Sequence, residues 1–147
     1  SADFKLGSQI SCGSNIKVTV ASSGEGATLD GQEQTRLFYL TGGCSLTLRG
    51  LTLVNGWATD GNHDGNYGGV VYARSSGGVS IIGSTVAGCS AGYYGGVVYA
   101  FSSDSLSFAG IAFIDNRAGM SGSVLYLSNT PSSISDAPFT GNTAGDD

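Results

Sequence analysis

The sequence predicts an all-β fold, a single-stranded parallel β-helix of about five coils with three short strands per coil. The chain repeats itself, since VVYARSSGG (70–78) aligns with VVYAFSSDS (97–105). Each copy also contains short alternations of apolar and polar residues without a helical period. Finally, 25 of the 147 residues are glycine, and at that frequency, with no triplet period, glycine indicates many tight turns between short strands.

The repeats divide a single domain, 1–147, into coils. Two copies are 27 residues long, and the copy before them carries six more residues, DGNHDG at 60–65, which predict a loop insertion. The expected coils are 8–36 (degenerate), 37–69, 70–96, 97–123 and 124–147. Neither end shows a capping helix, so we expect the domain to belong to a longer chain or assembly, with its ends covered by further coils or by a neighbouring subunit.

The alternation also predicts which side chains form the core. In the first full copy the inward residues are expected to be Phe38 and Leu40, then Leu46 and Leu48, then Leu53, followed by Ala58. Equal spacing in later copies places like residues over like, at a strand separation of about 4.7–4.9 Å. The final copy is expected to contribute Leu125, Leu127, Phe139 and Ala144.

One register position between inward residues is tyrosine in four consecutive copies: Tyr39, Tyr72, Tyr99 and Tyr126. We expect these rings to point outward and to form a flat aromatic ladder. Such a ladder can stack on sugar rings or anchor a protein. The predicted function is therefore a non-catalytic structural or adhesive module that binds a protein partner or a polysaccharide through this face. The alternative is that the ladder only stabilises the sheet.

The insertion resembles the first half of a calcium-binding loop. Asp60, Asn62 and Asp64 alternate with other residues before a glycine, and the carbonyl of Asn66 follows as a fourth candidate ligand for Ca²⁺. Val71 stands where the complete motif has a bidentate glutamate. The alternative is a solvated polar turn containing an exposed histidine. No other cofactor is indicated.

Charge and cysteine content limit the partners and the compartment. The six basic residues are scattered and outnumbered by 11 acids, which argues against nucleic acid. No apolar run is long enough to cross a bilayer. Cys12 and Cys44 can form a disulfide between neighbouring coils, which would place the protein in an oxidising, extracellular or cell-surface setting. Cys89 is expected to be a small turn residue.

Catalytic groups show no common register. Arg74 follows the first strand of its coil, Arg49 follows the second, and Asp115 and Arg117 follow the third, while Asp104 lies in another turn. No pair of carboxylates recurs on neighbouring coils at one position. A fragment of a carbohydrate-active enzyme, of lyase or epimerase type, is the alternative function. A third alternative is ice binding by outward hydroxyls. Its candidate residues are Thr47, Ser80, Ser107, Thr52 and Thr85, in a row interrupted by Ala112 and Pro138.

Two motifs resemble a known repeat. GGVVYA (68–73 and 95–100) together with FIDN (113–116) and FTGN (139–142) resembles the GGAI and FxxN repeats of chlamydial polymorphic outer membrane proteins. More broadly, the chain resembles the pectin-lyase-like superfamily, which implies a right-handed parallel β-helix. Gly56 and Cys89 replace the asparagine of the FxxN motif in the earlier copies, so only a partial asparagine row is expected.

Overall fold

The computed structural model describes residues 2–58 and 63–145, with His63 and Asp64 described by their backbone only. It is an all-β parallel solenoid of about 5 turns, as the repeats predict. A short 3-10 helix, His63–Asn66, begins within the insertion and ends one residue after it. The described residues contain no helix with the length and apolar composition needed to cross a bilayer.

The described strands form four parallel sheets, and each turn of the solenoid adds strands to them. Sheet I contains β2 (Ile10–Cys12), β5 (Phe38–Leu40), β9 (Val71–Arg74), β13 (Val98–Phe101) and β17 (Leu125–Ser128). Sheet II contains β3 (Lys17–Ala21), β6 (Ser45–Arg49), β10 (Gly78–Ile82), β14 (Ser105–Ala109) and β18 (Ser132–Ser135). Sheet III contains β1 (Ala2–Lys5), β4 (Ala27–Asp30), β7 (Leu51–Val54), β11 (Thr85–Ala87), β15 (Ala112–Ile114) and β19 (Phe139–Thr140). Sheet IV contains β8 (Trp57–Ala58), β12 (Ser90–Ala91), β16 (Arg117–Ala118) and β20 (Thr143–Ala144).

Sheet IV adds a fourth strand to the three predicted for each coil. Its strands contain only two residues each, which is too short to show an alternating pattern in the sequence. One residue of each pair points inward, as at Ala58, and the other points outward, as at Trp57. The outward row of sheet IV is therefore available to form a surface.

The predicted core is present along most of the solenoid. Phe38, Leu40 and the equivalent residues of the next two coils are almost completely buried. The outermost described turn differs, since Leu125 and Leu127 are half-buried and Phe139 and Ala144 are exposed. These four residues belong to edge strands, which have a neighbouring coil on one side only.

Residues with a left-handed backbone conformation lie at the corners between sheets, and this requirement explains much of the glycine content. One residue with φ between 48 and 68° lies at each corner of the repeated coils. Glycine, asparagine and aspartate tolerate this conformation best. From sheet I around to sheet IV and back, the corner residues are Ser75, Ser102 and Asn129, then Gly50, Gly83, Gly110 and Asp136, then Asn55, Gly88, Asp115 and Gly141, and finally Gly68, Gly95 and Gly122.

Side chains in the corners bond from coil to coil. Asn142 Oδ1 accepts hydrogen bonds from the backbone N–H and from Nδ2 of Asn116, both at 2.9 Å. Asn116 Oδ1 in turn accepts the backbone N–H of Cys89 at 3.0 Å. The Cys89 Sγ accepts the N–H of Gly56 at 3.4 Å. The partial asparagine row is thus continued by a thiol, and all buried side-chain polar atoms of the described residues have a partner.

A disulfide joins Cys12, at the end of β2, to Cys44, just before β6. Their Cα atoms are 5.9 Å apart, a usual separation for a disulfide. The bridge predicted from the sequence is therefore present in the structure, and it links the first turn of the solenoid to the second.

Candidate functional site

The four predicted tyrosines form a column on the outer surface of sheet I. Tyr39 pairs with Tyr72, Tyr72 with Tyr99, and Tyr99 with Tyr126 across the parallel strands. Their ring centroids are 4.9, 5.4 and 5.6 Å apart, and neighbouring rings are within 14° of parallel. The predicted register is confirmed, since Phe38 next to Tyr39 is in the core. We call these four residues the tyrosine column.

A second layer of rings covers the column. The ring of Tyr67 stacks on Tyr99 at 4.8 Å, and the ring of Tyr94 packs on Tyr126 at 4.6 Å. Tyr67 and Tyr94 also stack on each other, 5.7 Å apart and 2° from parallel. Each covering tyrosine precedes its own strand of sheet I but lies over the tyrosine of the following coil. The cover is therefore displaced by one coil along the solenoid.

Arg36 takes the place of a covering tyrosine at the start of this layer. Its Nε donates to the carbonyl oxygens of Tyr67 and Gly68, at 3.1 and 2.9 Å. Its Nη2 donates to the Tyr67 carbonyl at 2.7 Å, and its Nη1 donates to Oε1 of Gln9 at 2.9 Å. The buried guanidinium thereby holds the chain that leaves the insertion against the first turn.

The same guanidinium lies over two rings of the column. Its central carbon is 5.7 Å from the ring centroid of Tyr39 and 5.1 Å from that of Tyr72, within the range of cation–π contacts. As a result Tyr72 is only 2% exposed, and the other three rings are half-buried. The expectation of an open tyrosine face is therefore corrected: the outward rings support a covering layer, and a ligand has no access to Tyr72.

The exposed part of this side is the rim of the covering layer. Tyr93 is 45% exposed and packs edge-on against Tyr67, with ring centroids 5.9 Å apart. Met120, one coil further on, is also exposed. It lies beside Tyr93, since its N–H donates to the Tyr93 carbonyl. Tyr93 is thus the ring of this layer that offers the largest exposed fraction among the described tyrosines.

Trp57 forms a second exposed aromatic feature, on sheet IV. It pairs with Ser90, which pairs with Arg117, so a large, a small and a long side chain follow one another in the outward row. The small residue between two larger ones leaves an open cleft of about 380 Å³. Its other walls include Asp115 and the backbone of Gly92. We call this space the Trp57 cleft.

The cleft contains two charged residues, Asp115 and Arg117, which are two positions apart in the sequence. Asp115 and Arg117 both line it, whereas Arg49, Arg74 and Asp104 do not contribute to its walls. Among the described residues neither Asp115 nor Arg117 makes a side-chain hydrogen bond or ion pair, and Oδ1 of Asp115 lies close to Gly141 of the next coil.

A second cavity lies on the other side of Trp57. It has a volume of about 480 Å³ and is lined by Trp57, Tyr39, Arg36, Gln9 and Gln34, among others. Trp57 therefore separates two concave spaces. Sequence reasoning missed this residue because it does not recur in the repeats, although a unique tryptophan in a row of smaller residues is a usable signal.

Cys89 lines the Trp57 cleft but has an unreactive thiol. Burial raises the pKa of the Cys89 thiol to about 12, because the buried thiolate would lose its hydration. The N–H of Gly56 opposes this shift only in part. Cys89 is therefore a structural residue of the corner row.

The predicted calcium ligands cannot be compared with the structure as a set. Asp60 and Asn62 lie outside the described residues, as does the side chain of Asp64. The carbonyl of Asn66 accepts the N–H of Tyr93 at 2.9 Å. Within residues 2–58 and 63–145, no three His, Cys, Asp or Glu side chains are placed to share a metal ion. Calcium binding at this loop stays a prediction.

The hydroxyl row proposed for ice binding is two rows on two sheets. Thr47, Ser80 and Ser107 are in register on sheet II. Thr52 and Thr85 are in register on sheet III, where Ala112 follows them. A corner with a left-handed glycine separates the two sheets, as at Gly50, so the hydroxyls do not form one continuous row.

Comparisons with known proteins add no family. No protein-family model, curated protein or solved structure shows a significant match to the chain. The class of protein shown is therefore the parallel β-solenoid, defined by the fold itself.

Proposed function

We propose that this solenoid is a non-catalytic structural or adhesive module that binds a polysaccharide or a protein partner through its aromatic side. The aromatic side consists of the exposed rings Tyr93 and Trp57, together with the tyrosine column and its covering layer. The observation that carries the proposal is that the exposed ring of Tyr93 packs against a two-layer aromatic support. Exposed aromatic rings provide apolar contact area at a low cost in side-chain entropy.

The support matters because it fixes the exposed rings before a ligand arrives. Tyr93 contacts Tyr67, and Tyr67 in turn contacts Tyr94 and Tyr99, so the ring network extends over two coils. A surface that is already ordered loses little conformational entropy on binding. This is the property expected of a module whose function is to hold a partner.

The location and the resemblance belong to the same proposal. The Cys12–Cys44 disulfide supports a secreted or cell-surface location, because such bonds persist in oxidising compartments. The GGVVYA and FxxN motifs, similar to those of chlamydial polymorphic outer membrane proteins, support a role in adhesion. They also favour the right-handed, pectin-lyase-like form of the solenoid.

The test compares two variants with matched exposure. Tyr93→Ser removes a ring that is 45% exposed on the aromatic side, and Ile134→Ser removes a side chain that is 44% exposed on sheet II. The intact chain and both variants are applied to an array of purified polysaccharides and matrix glycoproteins. We expect Tyr93→Ser to weaken the captured interaction at least about tenfold, and Ile134→Ser to leave it unchanged. Equal binding by all three proteins would contradict the proposal.

A carbohydrate-active enzyme of lyase or epimerase type is the second candidate, favoured by the presence of Asp115 and Arg117 in one cleft. Incubation with polyuronates distinguishes the two, since a lyase produces unsaturated uronates that absorb in the ultraviolet. Calcium binding by the insertion is a separate proposal. Calorimetry with Ca²⁺ on the intact chain tests it, and the absence of heat at millimolar concentration would remove it.

A further inference from the structure

We infer that the Trp57 cleft is a binding site for a neutral saccharide, with one sugar ring stacked on the indole and its hydroxyls bonded to Asp115 and Arg117. This inference rests on the proposed binding function and names the ligand class for one part of the aromatic side. The observations behind it are the shape of the cleft, the chemistry of its walls and its charge.

The cleft has the dimensions of a small-ligand site. Trp57 and Arg117 are two strands apart in sheet IV, which corresponds to about 9–10 Å at the usual strand separation. The floor between them is formed by Ser90 and Gly92, which have small side chains or none. Its volume of about 380 Å³ is within the range of pockets that hold small organic ligands. A sugar ring therefore fits between the indole and the guanidinium.

The walls combine the two kinds of group that a sugar needs. The indole of Trp57 is 37% exposed, and its electron-rich face attracts the weakly positive C–H groups on the apolar face of a pyranose. The carboxylate of Asp115 accepts hydrogen bonds from hydroxyls, and the guanidinium of Arg117 donates a fixed pair. Both charged groups are free of partners among the described residues, so they are available for this purpose.

The backbone holds these three residues in place. The N–H of Trp57 donates to the Thr35 carbonyl at 2.9 Å, and the N–H of Arg117 donates to the Cys89 carbonyl at 2.8 Å. Asp115 occupies a left-handed corner position, where its N–H donates to the carbonyl of the next coil at 2.9 Å. The site is therefore built on paired strands and a fixed corner, which keeps its geometry before a ligand binds.

Charge selects a neutral ligand over an acidic one. The chain carries a net charge of −5, with 11 acidic and six basic residues. Within the cleft, the Asp115 carboxylate would lie close to any carboxylate of a bound uronate and repel it. Arg117, two residues from Asp115, offsets part of this repulsion, and the net negative charge of the chain adds to the preference for a neutral ligand. A neutral sugar meets no such repulsion and uses both charged groups as hydrogen-bonding partners.

The second cavity gives the ligand room to extend. It begins on the opposite side of Trp57 and is lined by polar side chains that include Gln34 and Thr35. A chain of several sugars can therefore pass the indole and place neighbouring rings on both sides of it. This predicts that affinity increases with the number of sugar units.

The experiment uses the fluorescence of Trp57, which is the only tryptophan of the chain. The intact chain is titrated with cellohexaose, xylohexaose and chitohexaose as neutral probes, and with hexagalacturonate as the acidic probe. We expect at least one neutral probe to cause a saturable blue shift and to protect the indole from acrylamide. A shift with hexagalacturonate alone, or with none of the four probes, would overturn the inference.

Variants then place the bound probe in the cleft. Arg117→Ala and Asp115→Asn keep the fluorophore, and we expect each to weaken binding about tenfold, which corresponds to about 1.4 kcal/mol. Trp57→Ala, measured by calorimetry, should remove binding, while Ile134→Ser should not change it. Unchanged affinity in both Arg117→Ala and Trp57→Ala would overturn the site.

Different results would contradict the saccharide site and the proposed function. If no neutral probe shifts the Trp57 fluorescence but an array ligand is still lost with Tyr93→Ser, the module binds its partner elsewhere on the aromatic side and the saccharide site is wrong. If the neutral probe binds at Trp57 and Tyr93→Ser has no effect on any ligand, the saccharide site stands, and the wider binding surface is wrong.

Discussion

The burial of Tyr72 leads to a quantitative prediction about the tyrosine column. Replacement of Tyr72 by serine removes a ring that is 2% exposed, that stacks on Tyr39 at 4.9 Å and on Tyr99 at 5.4 Å, and that lies under Arg36. Truncation of a buried aromatic residue costs about 3–5 kcal/mol in free energy of unfolding. The two stacked contacts account for about 1–3 kcal/mol of this.

Tyr93 and the phenylalanine variant provide the controls. Tyr93→Ser removes a ring that is 45% exposed, and we expect it to lower the free energy of unfolding by about 1 kcal/mol. Tyr72→Phe keeps the stacked ring and should cost less than half as much as Tyr72→Ser. Because Tyr72 contacts the coils before and after its own, its loss weakens two coil-to-coil interfaces.

The assay is equilibrium unfolding in urea, followed by circular dichroism and by the fluorescence of the single tryptophan. The expected order of stability is wild type, then Tyr72→Phe and Tyr93→Ser, then Tyr72→Ser. If Tyr72→Ser were no less stable than Tyr93→Ser, the covered column would be refuted, and the tyrosines would be an exposed surface as the sequence suggested.

The remaining predictions concern the disulfide, Asn116 and the Cys89 thiol. Reduction of Cys12–Cys44 should lower the free energy of unfolding by about 3–4 kcal/mol, because the bond closes a loop with a sequence separation of 32; an unchanged urea midpoint in reductant would contradict this. Asn116→Ala should cost about 2–4 kcal/mol, since it leaves the buried N–H of Cys89 without its partner and removes the hydrogen bonds of Asn116 Nδ2 to the Val86 carbonyl and to Asn142 Oδ1; a cost below about 1 kcal/mol would show that the corner row is not stabilising. Cys89, whose pKa is about 12 in the folded chain against 9.0 for an ordinary thiol, should resist alkylation at pH 9 until urea unfolds the chain. Its raised pKa should also make stability decrease as pH rises from about 9 to about 12, because only the unfolded chain then loses this proton; a Cys89→Ala variant with the same decrease would assign it to other groups.

Periodic features of the molecule were accessible from the sequence. Phe38, Val71 and Val98 take the same place in the repeated pattern once the six inserted residues 60–65 are set aside, and the structure pairs these residues as expected. The stacked tyrosines followed from the same reasoning, because side chains alternate between the two faces of a strand. A sequence repeat predicts the contacts between equivalent positions of neighbouring coils, and in a solenoid these contacts recur from coil to coil.

Features that do not follow the repeat could not be predicted from the sequence. Tyr67 lies over Tyr99, which is one coil further along, so sequence spacing does not show which ring it covers. Arg36 also covers a ring of the column, that of Tyr72, but with a guanidinium and from a different distance before its strand. The two-residue strands of sheet IV, such as Ser90–Ala91, are too short to show an alternation. These contacts depend on how the turns bend, which local sequence patterns do not encode.

The sheet IV row shows why function and repetition separate in this fold. Its inward positions are alanine in all four strands, Ala58, Ala91, Ala118 and Ala144, and each alanine pairs with that of a neighbouring coil, which constrains its size. Its outward positions have no such constraint and differ in each coil. A cleft forms only where outward neighbours differ in size, as Trp57, Ser90 and Arg117 do. A surface of identical residues would be flat and could offer only one kind of contact. The residues that interrupt the repeat are therefore the ones to test first for binding, and in this chain Trp57 is the clearest of them.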